Sequence, residues 1–146
     1  MSIIEYPSLT PELNCENLDG ALGFYVDILR FKVLHRDDKS GFAMIQRQDS
    51  VLTLQEIREN SHIYSSAPMQ KPYGRGVCIQ IKTRDVEMLY NRCLDHKYSI
   101  HLKLEEEWRD LGEVKIGVEH FIVRDPDGYW LRFFEEIDTR PVDEEF

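Results

Sequence analysis

No stretch of the 146 residues approaches the roughly 20 consecutive apolar positions that carry a helix across a bilayer. The opening segment, Met1 to Tyr6, has neither the basic region nor the apolar core of an export signal. Cysteine is scarce: Cys15, Cys78 and Cys93 are odd in number and have no C-x-x-C spacing, which argues against a disulfide framework or a structural zinc knot. Positive charge is also short, with 18 Lys+Arg against 27 Asp+Glu and a formal charge of −9. A field of that sign repels phosphate backbones and anionic lipid, so neither nucleic acid nor a membrane is expected as partner. Nucleophile and phosphate motifs are missing too: there is no G-x-S-x-G elbow, no P-loop and no dinucleotide glycine fingerprint. These absences leave a soluble, cytoplasmic protein of a reducing compartment as the expectation.

What is present is globular. The chain is 42% hydrophobic and 11% aromatic, enough apolar material to bury a core rather than remain disordered. From Ser8 to Cys15, Leu9, Pro11, Leu13 and Cys15 alternate with polar residues, the period of a half-buried strand, with Pro11 favouring an edge or early position. Asn17 and Asp19 offer caps ahead of Leu22, Tyr25, Val26 and Leu29, which are spaced as one face of a helix over 18–29. Strands follow at Phe31–Asp37, Phe42–Arg47 and Val51–Glu56, separated by short polar turns. Residues 58–75 are polar with Pro and Gly, and read as a connector.

The order then restarts. Val77, Ile79 and Ile81 alternate as a strand, and Asp85 caps a helix running to His96. A strand at Ser99–Leu104, a polar loop at Glu105–Gly112, and strands at Val118–Arg124 and Tyr129–Glu135 complete it, the last two joined by the turn Asp125-Pro126-Asp127-Gly128. The acidic tail from 137 onward is expected to fray. Sliding the first half by 68 lays Leu13–Leu18 on Ile81–Val86, and sliding by 79 lays Val51–Glu56 on Trp130–Glu135. The pattern is two βαβββ modules, about 8–57 and 76–136. Neither can bury its helix alone, so one α+β domain of paired modules is expected.

Pro11-Glu-Leu, Asn17-Leu18, Ala21-Leu22 and Phe24-Tyr25 in the first half, with His120-Phe121-Ile-Val-Arg-Asp125-Pro-Asp-Gly128-Tyr129 in the second, resemble the vicinal oxygen chelate superfamily. This is the glyoxalase, bleomycin-resistance and extradiol-dioxygenase group, and the likeness to its bleomycin-resistance branch is strongest. The resemblance implies curved mixed sheets around a cup, and a homodimer with that cup near the interface. In metal-dependent members four wall positions carry His, Gln or Glu; here they fall on Thr10, Thr53, Cys78 and Arg132. A thiolate beside a guanidinium and two hydroxyls is not a divalent-metal site, so no metal and no cofactor is expected there.

Strand alternation extends the implied wall to Glu12, Asn14, Val51, Gln55, Gln80, Lys82, Trp130 and Phe134, and puts Leu13, Leu52, Leu54, Ile79, Ile81, Leu131 and Phe133 on the opposite faces. Such a wall suits an amphipathic organic ligand, with Trp130 offering a stacking surface. The resistance proteins carry Trp-Gly where this chain has Gly117-Val118, and Trp108 either reaches over the cup in its place or is unrelated to it. The run Glu105–Glu107 would draw a cation or be a solvated loop. The expected function is metal-free capture of a small amphipathic molecule, cationic drugs and metabolites included. The ligand-binding candidates are Thr10, Glu12, Thr53, Gln55, Cys78, Gln80, Trp108, Trp130, Arg132 and Phe134. The alternative is a glyoxalase- or dioxygenase-like enzyme with a relocated metal site built from His101, His120 and a nearby Glu.

Overall fold

A computed structural model describes residues 5–59 and 69–142. Residues 60–68 of the connector expected at 58–75, including His62, and the last four residues of the tail lie outside the described residues. The chain divides into two compact units: Met1–Arg75 with Asp125–Gly128, and Gly76–Arg124 with Tyr129–Phe146.

The first unit holds β1 (Glu12–Cys15), α1 (Leu18–Leu22), β2 (Lys32–Asp37), β3 (Phe42–Arg47) and β4 (Ser50–Glu56). Its sheet has the order β1-β4-β3-β2, with β1 parallel to β4 and the other pairs antiparallel. The strand expected from Ser8 starts only at Glu12. Pro11 has no N–H to give the ladder and contributes its carbonyl alone, accepting the Thr53 N–H at 3.0 Å. Asn17 caps α1 by accepting the Gly20 N–H at 2.8 Å. The helix expected over 18–29 begins as α-helix and continues as a π-helical segment, Gly23–Ile28, in which the Leu29 N–H reaches back five residues to the Phe24 carbonyl. Phe24, Tyr25, Ile28 and Leu29 are all buried along it.

The Asp125–Gly128 turn packs within this unit. The Tyr25 hydroxyl donates to Asp125 Oδ2 at 2.7 Å, and the Glu16 N–H donates to Asp127 Oδ1 at 3.0 Å. Gly128 is obligatory here: its φ is +101°, and a Cβ would lie 2.4 Å from Cβ of Pro72.

The second unit holds β5 (Cys78–Lys82), α2 (Val86–Asp95), β6 (Ile100–Asp110), β7 (Val114–Arg124) and β8 (Trp130–Pro141), in the order β5-β8-β7-β6. Again the first and last strands are parallel and the rest antiparallel. The polar stretch read as a loop at 105–112 is strand as far as Asp110. It lies on the edge strand β6, where backbone pairing with β7 fixes the conformation without an apolar repeat. For the same reason β7 starts at Val114 rather than Val118, and β8 runs past Glu135 into the acidic tail, with Pro141 opposite Val114.

Both units therefore carry the α+β plan of a four-stranded mixed sheet with its helix, and the repeat extends to register. Leu13 faces Leu54 across β1 and β4, and Ile81 faces Phe133 across β5 and β8, the positions related by the 68- and 79-residue offsets. Leu13, Leu52, Leu54, Ile81, Leu131 and Phe133 are buried and Ile79 is half-buried, as alternation requires. In the second unit Tyr90 of α2 meets Phe121 edge-on, and Phe121 stacks on Phe133, so this face of the sheet is the one beneath the helix.

Candidate functional site

With Phe121 and Phe133 turned to α2, their neighbours His120, Arg132 and Phe134 project from the other face of the second sheet. There they line a cavity of about 190 Å³. Gln80 of β5, directly opposite Arg132 in the ladder, joins them, and Ile116, Val118 and Leu111 supply apolar wall. The volume is below the roughly 300–1,000 Å³ of a drug-sized site, and fits a small molecule or one end of a larger one.

The polar groups of this cavity differ in how they are matched. Glu136 is paired with Lys82 at 3.3 Å. Arg109 Nε donates to Glu107 Oε1 at 3.0 Å. His120, whose side chain is 1% exposed, sets Nε2 at 3.1 Å from Glu107 Oε2 and 3.3 Å from Glu105 Oε1. Carboxylates only accept, so Nε2 carries a hydrogen between them. The other ring nitrogen, Nδ1, is buried without a hydrogen-bond partner, and so is Arg132 Nε. Among the described residues nothing pairs with the Arg132 guanidinium.

The metal wall that the resemblance implies does not fit these residues. Arg132 is half-buried and fixed in charge; Thr53 is buried, its hydroxyl directed at the Pro11 carbonyl at 3.5 Å; Thr10 donates to the Pro7 carbonyl at 3.3 Å; and Cys78 is exposed. A different donor set does exist. Glu105, Glu107 and His120 bring one ligand atom each to within 4.8 Å of one another. Two oxygens and an imidazole nitrogen are competent for a borderline divalent cation. The unpartnered Nδ1 is unlike a ligating histidine, whose second nitrogen is almost always anchored. His101, expected beside His120, instead lies over Trp130 with ring centroids 3.9 Å apart.

Of the ten binding candidates, Gln80, Arg132 and Phe134 meet at the cavity. Trp130 lies on the same strand face as Arg132, with His101 against one side of its ring and the Arg124 guanidinium 5.9 Å from its centroid. Cys78 pairs with Trp130 at the start of β5. In the first unit, Glu12 is opposite Thr53, and Gln55 donates to the Ser40 carbonyl at 2.7 Å. Trp108 does not reach over the cavity. Arg109 on one side of it lines the cavity and Glu107 on the other reaches His120 of the cavity wall, so alternation turns the indole to the opposite face. There it covers Gly117, donates to Glu106 Oε1 at 2.7 Å and receives the Arg140 guanidinium at 4.6 Å. Sequence reasoning did not bring Glu105 and Glu107 to His120. The spacing Glu105-x-Glu107 is that of one strand face, a signal hidden once the segment is read as a loop.

A sequence model of the Glyoxalase/Bleomycin resistance protein/Dioxygenase superfamily matches residues 8–133. Among functionally curated proteins nothing matches significantly. Solved structures with this fold include a virulence protein of Salmonella typhimurium, 15% identical, with a TM-score of 0.65 over 92% of this chain and 100% of that one. TioX from Micromonospora sp. ML1 is 19% identical, with a TM-score of 0.64 over 90% of this chain and 100% of its own. A glyoxalase/bleomycin resistance protein/dioxygenase from Alicyclobacillus acidocaldarius is 20% identical, with a TM-score of 0.61 over 89% and 91%. At these identities the likeness is one of fold.

Proposed function

Because the chain belongs to the Glyoxalase/Bleomycin resistance protein/Dioxygenase superfamily, we propose that it captures a small amphipathic drug or metabolite stoichiometrically, without the metal its metal-dependent relatives use. One observation carries this reading: Arg132, at a strand position where the resemblance puts a metal ligand, is a half-buried guanidinium lining an apolar-walled cavity. A fixed positive charge there repels a divalent cation, while the cavity retains what a ligand needs. Ile116, Val118 and Phe134 offer apolar contact, and Gln80 and Arg132 offer oriented polar groups. Capture then needs no reacting group, and affinity comes from desolvating the ligand against these side chains. The bleomycin-resistance resemblance supports a homodimer.

The test is a nuclear magnetic resonance titration of chelator-treated protein with small aromatic probes: indole, phenol, phenylacetate and phenethylamine. Saturable shifts confined to the amides around Gln80, Val118, His120 and Phe134 are expected for at least one probe. Shifts absent from that set for every probe would overturn the proposal.

The Glu105–Glu107–His120 cluster favours a second reading, a relocated metal site serving a lyase or oxygenase. That reading requires near one equivalent of divalent ion on the purified protein, lost in His120→Ala. Metal well below one equivalent, unchanged by that substitution, rules it out.

A further inference from the structure

We propose that the ligand presents a carboxylate to Arg132, so that this acidic protein captures a small aromatic or aliphatic acid rather than a cation. The inference rests on the capture reading and deepens it. The net charge of −9 favours cations at long range. Local pairing decides what the cavity wants. Its other charged groups are already matched: Arg109 with Glu107, His120 Nε2 with Glu105 and Glu107, and Glu136 with Lys82. Arg132 is the cation lining the cavity that no described residue pairs with, and its Nε is cut off from solvent with no acceptor. Burying a guanidinium N–H without an acceptor is costly, and a bound carboxylate offsets that cost through charge-assisted hydrogen bonds. An ammonium in the same place would meet like charge.

The neighbours fit this polarity. Gln80, in register with Arg132, has an amide able to donate to the second carboxylate oxygen. His120 Nδ1 is a further unmatched nitrogen of the cavity wall. The apolar body of the ligand then lies on Phe134, Val118 and Ile116. At about 190 Å³ the cavity accepts a single ring bearing a short acid arm.

Three probes of one shape and different charge test the proposal: phenylacetate, phenylacetamide and phenethylamine, titrated into the full chain and followed at the Gln80, Val118, His120 and Phe134 amides. Phenylacetate is expected to bind at least tenfold more tightly than the amide or the amine. Arg132→Gln should abolish that preference while keeping a folded spectrum; Arg132→Lys, with charge but no planar fork, should reduce it at least threefold. If Arg132→Gln does not fold, the lysine variant decides. Equal binding of the three probes, tighter binding of the amine, or a preference unchanged in these variants overturns the carboxylate inference while leaving capture in the cavity standing. Binding of none of them overturns the carboxylate inference, and capture as well if indole and phenol also leave those amides unshifted.

Discussion

The Glu56 carboxylate at the end of β4 accepts the backbone N–H of Leu18, the first residue of α1, at 2.8 Å. The second unit repeats the device: Glu135 of β8 accepts the N–H of Val86, the first residue of α2, at 3.1 Å. The paired residues are again 68 and 79 positions apart. In each unit the last strand thus supplies an anion to the otherwise unmatched N–H groups and positive dipole of its helix.

Glu56 should therefore contribute pH-dependent stability. Its carboxyl is held below the ordinary carboxylate range, chiefly by the Leu18 N–H and then by Arg58. A lowered native pKa stabilises fully above the unfolded-state value and loses the contribution as pH falls through the native one. Glu56→Gln is expected to cost about 1 kcal/mol at neutral pH, a difference that closes in strongly acidic solution. Urea denaturation across a pH series measures it, and a pH-independent difference would refute it.

The opposite sign is expected at Glu119. Burial, then Glu87, Glu135 and Glu106, push its carboxyl above the ordinary range. The folded chain holds that proton more tightly than the unfolded one, so stability falls as pH rises from the unfolded-state value through the raised native value. Glu119→Gln should raise the melting temperature at neutral pH and give no gain once the Glu119 carboxyl is largely protonated in the folded and the unfolded chain alike, at about pH 3.5. Calorimetry at the two pH values distinguishes these outcomes.

Gly117 is fixed by its neighbour across the ladder. A Cβ there would lie 2.6 Å from two ring atoms of Trp108. Gly117→Ala must displace the indole from beneath Arg140, and a loss of about 1–3 kcal/mol is expected for such overpacking. A shifted tryptophan emission should accompany it. A variant with unchanged stability and emission would show that this contact is not held in solution.

The three cysteines should react unequally. Burial pushes the Cys15 and Cys93 thiols up to about 12, so both are protonated and enclosed at neutral pH. Cys78 is free and exposed. Titration of the native protein with an aromatic disulfide reagent should give one fast equivalent, lost in Cys78→Ser, with the other two appearing on unfolding.

The doubled module was legible because two periods coincide in it. Leu13, Leu54, Ile81 and Phe133 mark the buried strand faces by alternation, and polar caps at Asn17 and Asp85 mark the helix starts. β3 matches its expected limits, Phe42–Arg47, since it is an inner strand whose short apolar run is bounded by a polar turn on each side. The β6–β7–β8 extensions were not legible, because an edge ladder beyond the core is held by backbone pairing that side chains do not announce. The placement of the candidate site followed from this. Arg132 and Phe134 on the inner strand β8 and Gln80 on β5 lie where alternation is clear, whereas Glu105, Glu107 and Trp108 lie on the extension, whose strand faces are hidden once it is read as a loop.

Ligand capture that does not depend on a metal is tested most directly by measuring the affinity of the tightest-binding probe on one preparation before and after exhaustive chelation. The account predicts dissociation constants that agree within about twofold, well under the tenfold that corresponds to 1.4 kcal/mol. A loss of tenfold or more on chelation, restored by a divalent cation, would contradict it.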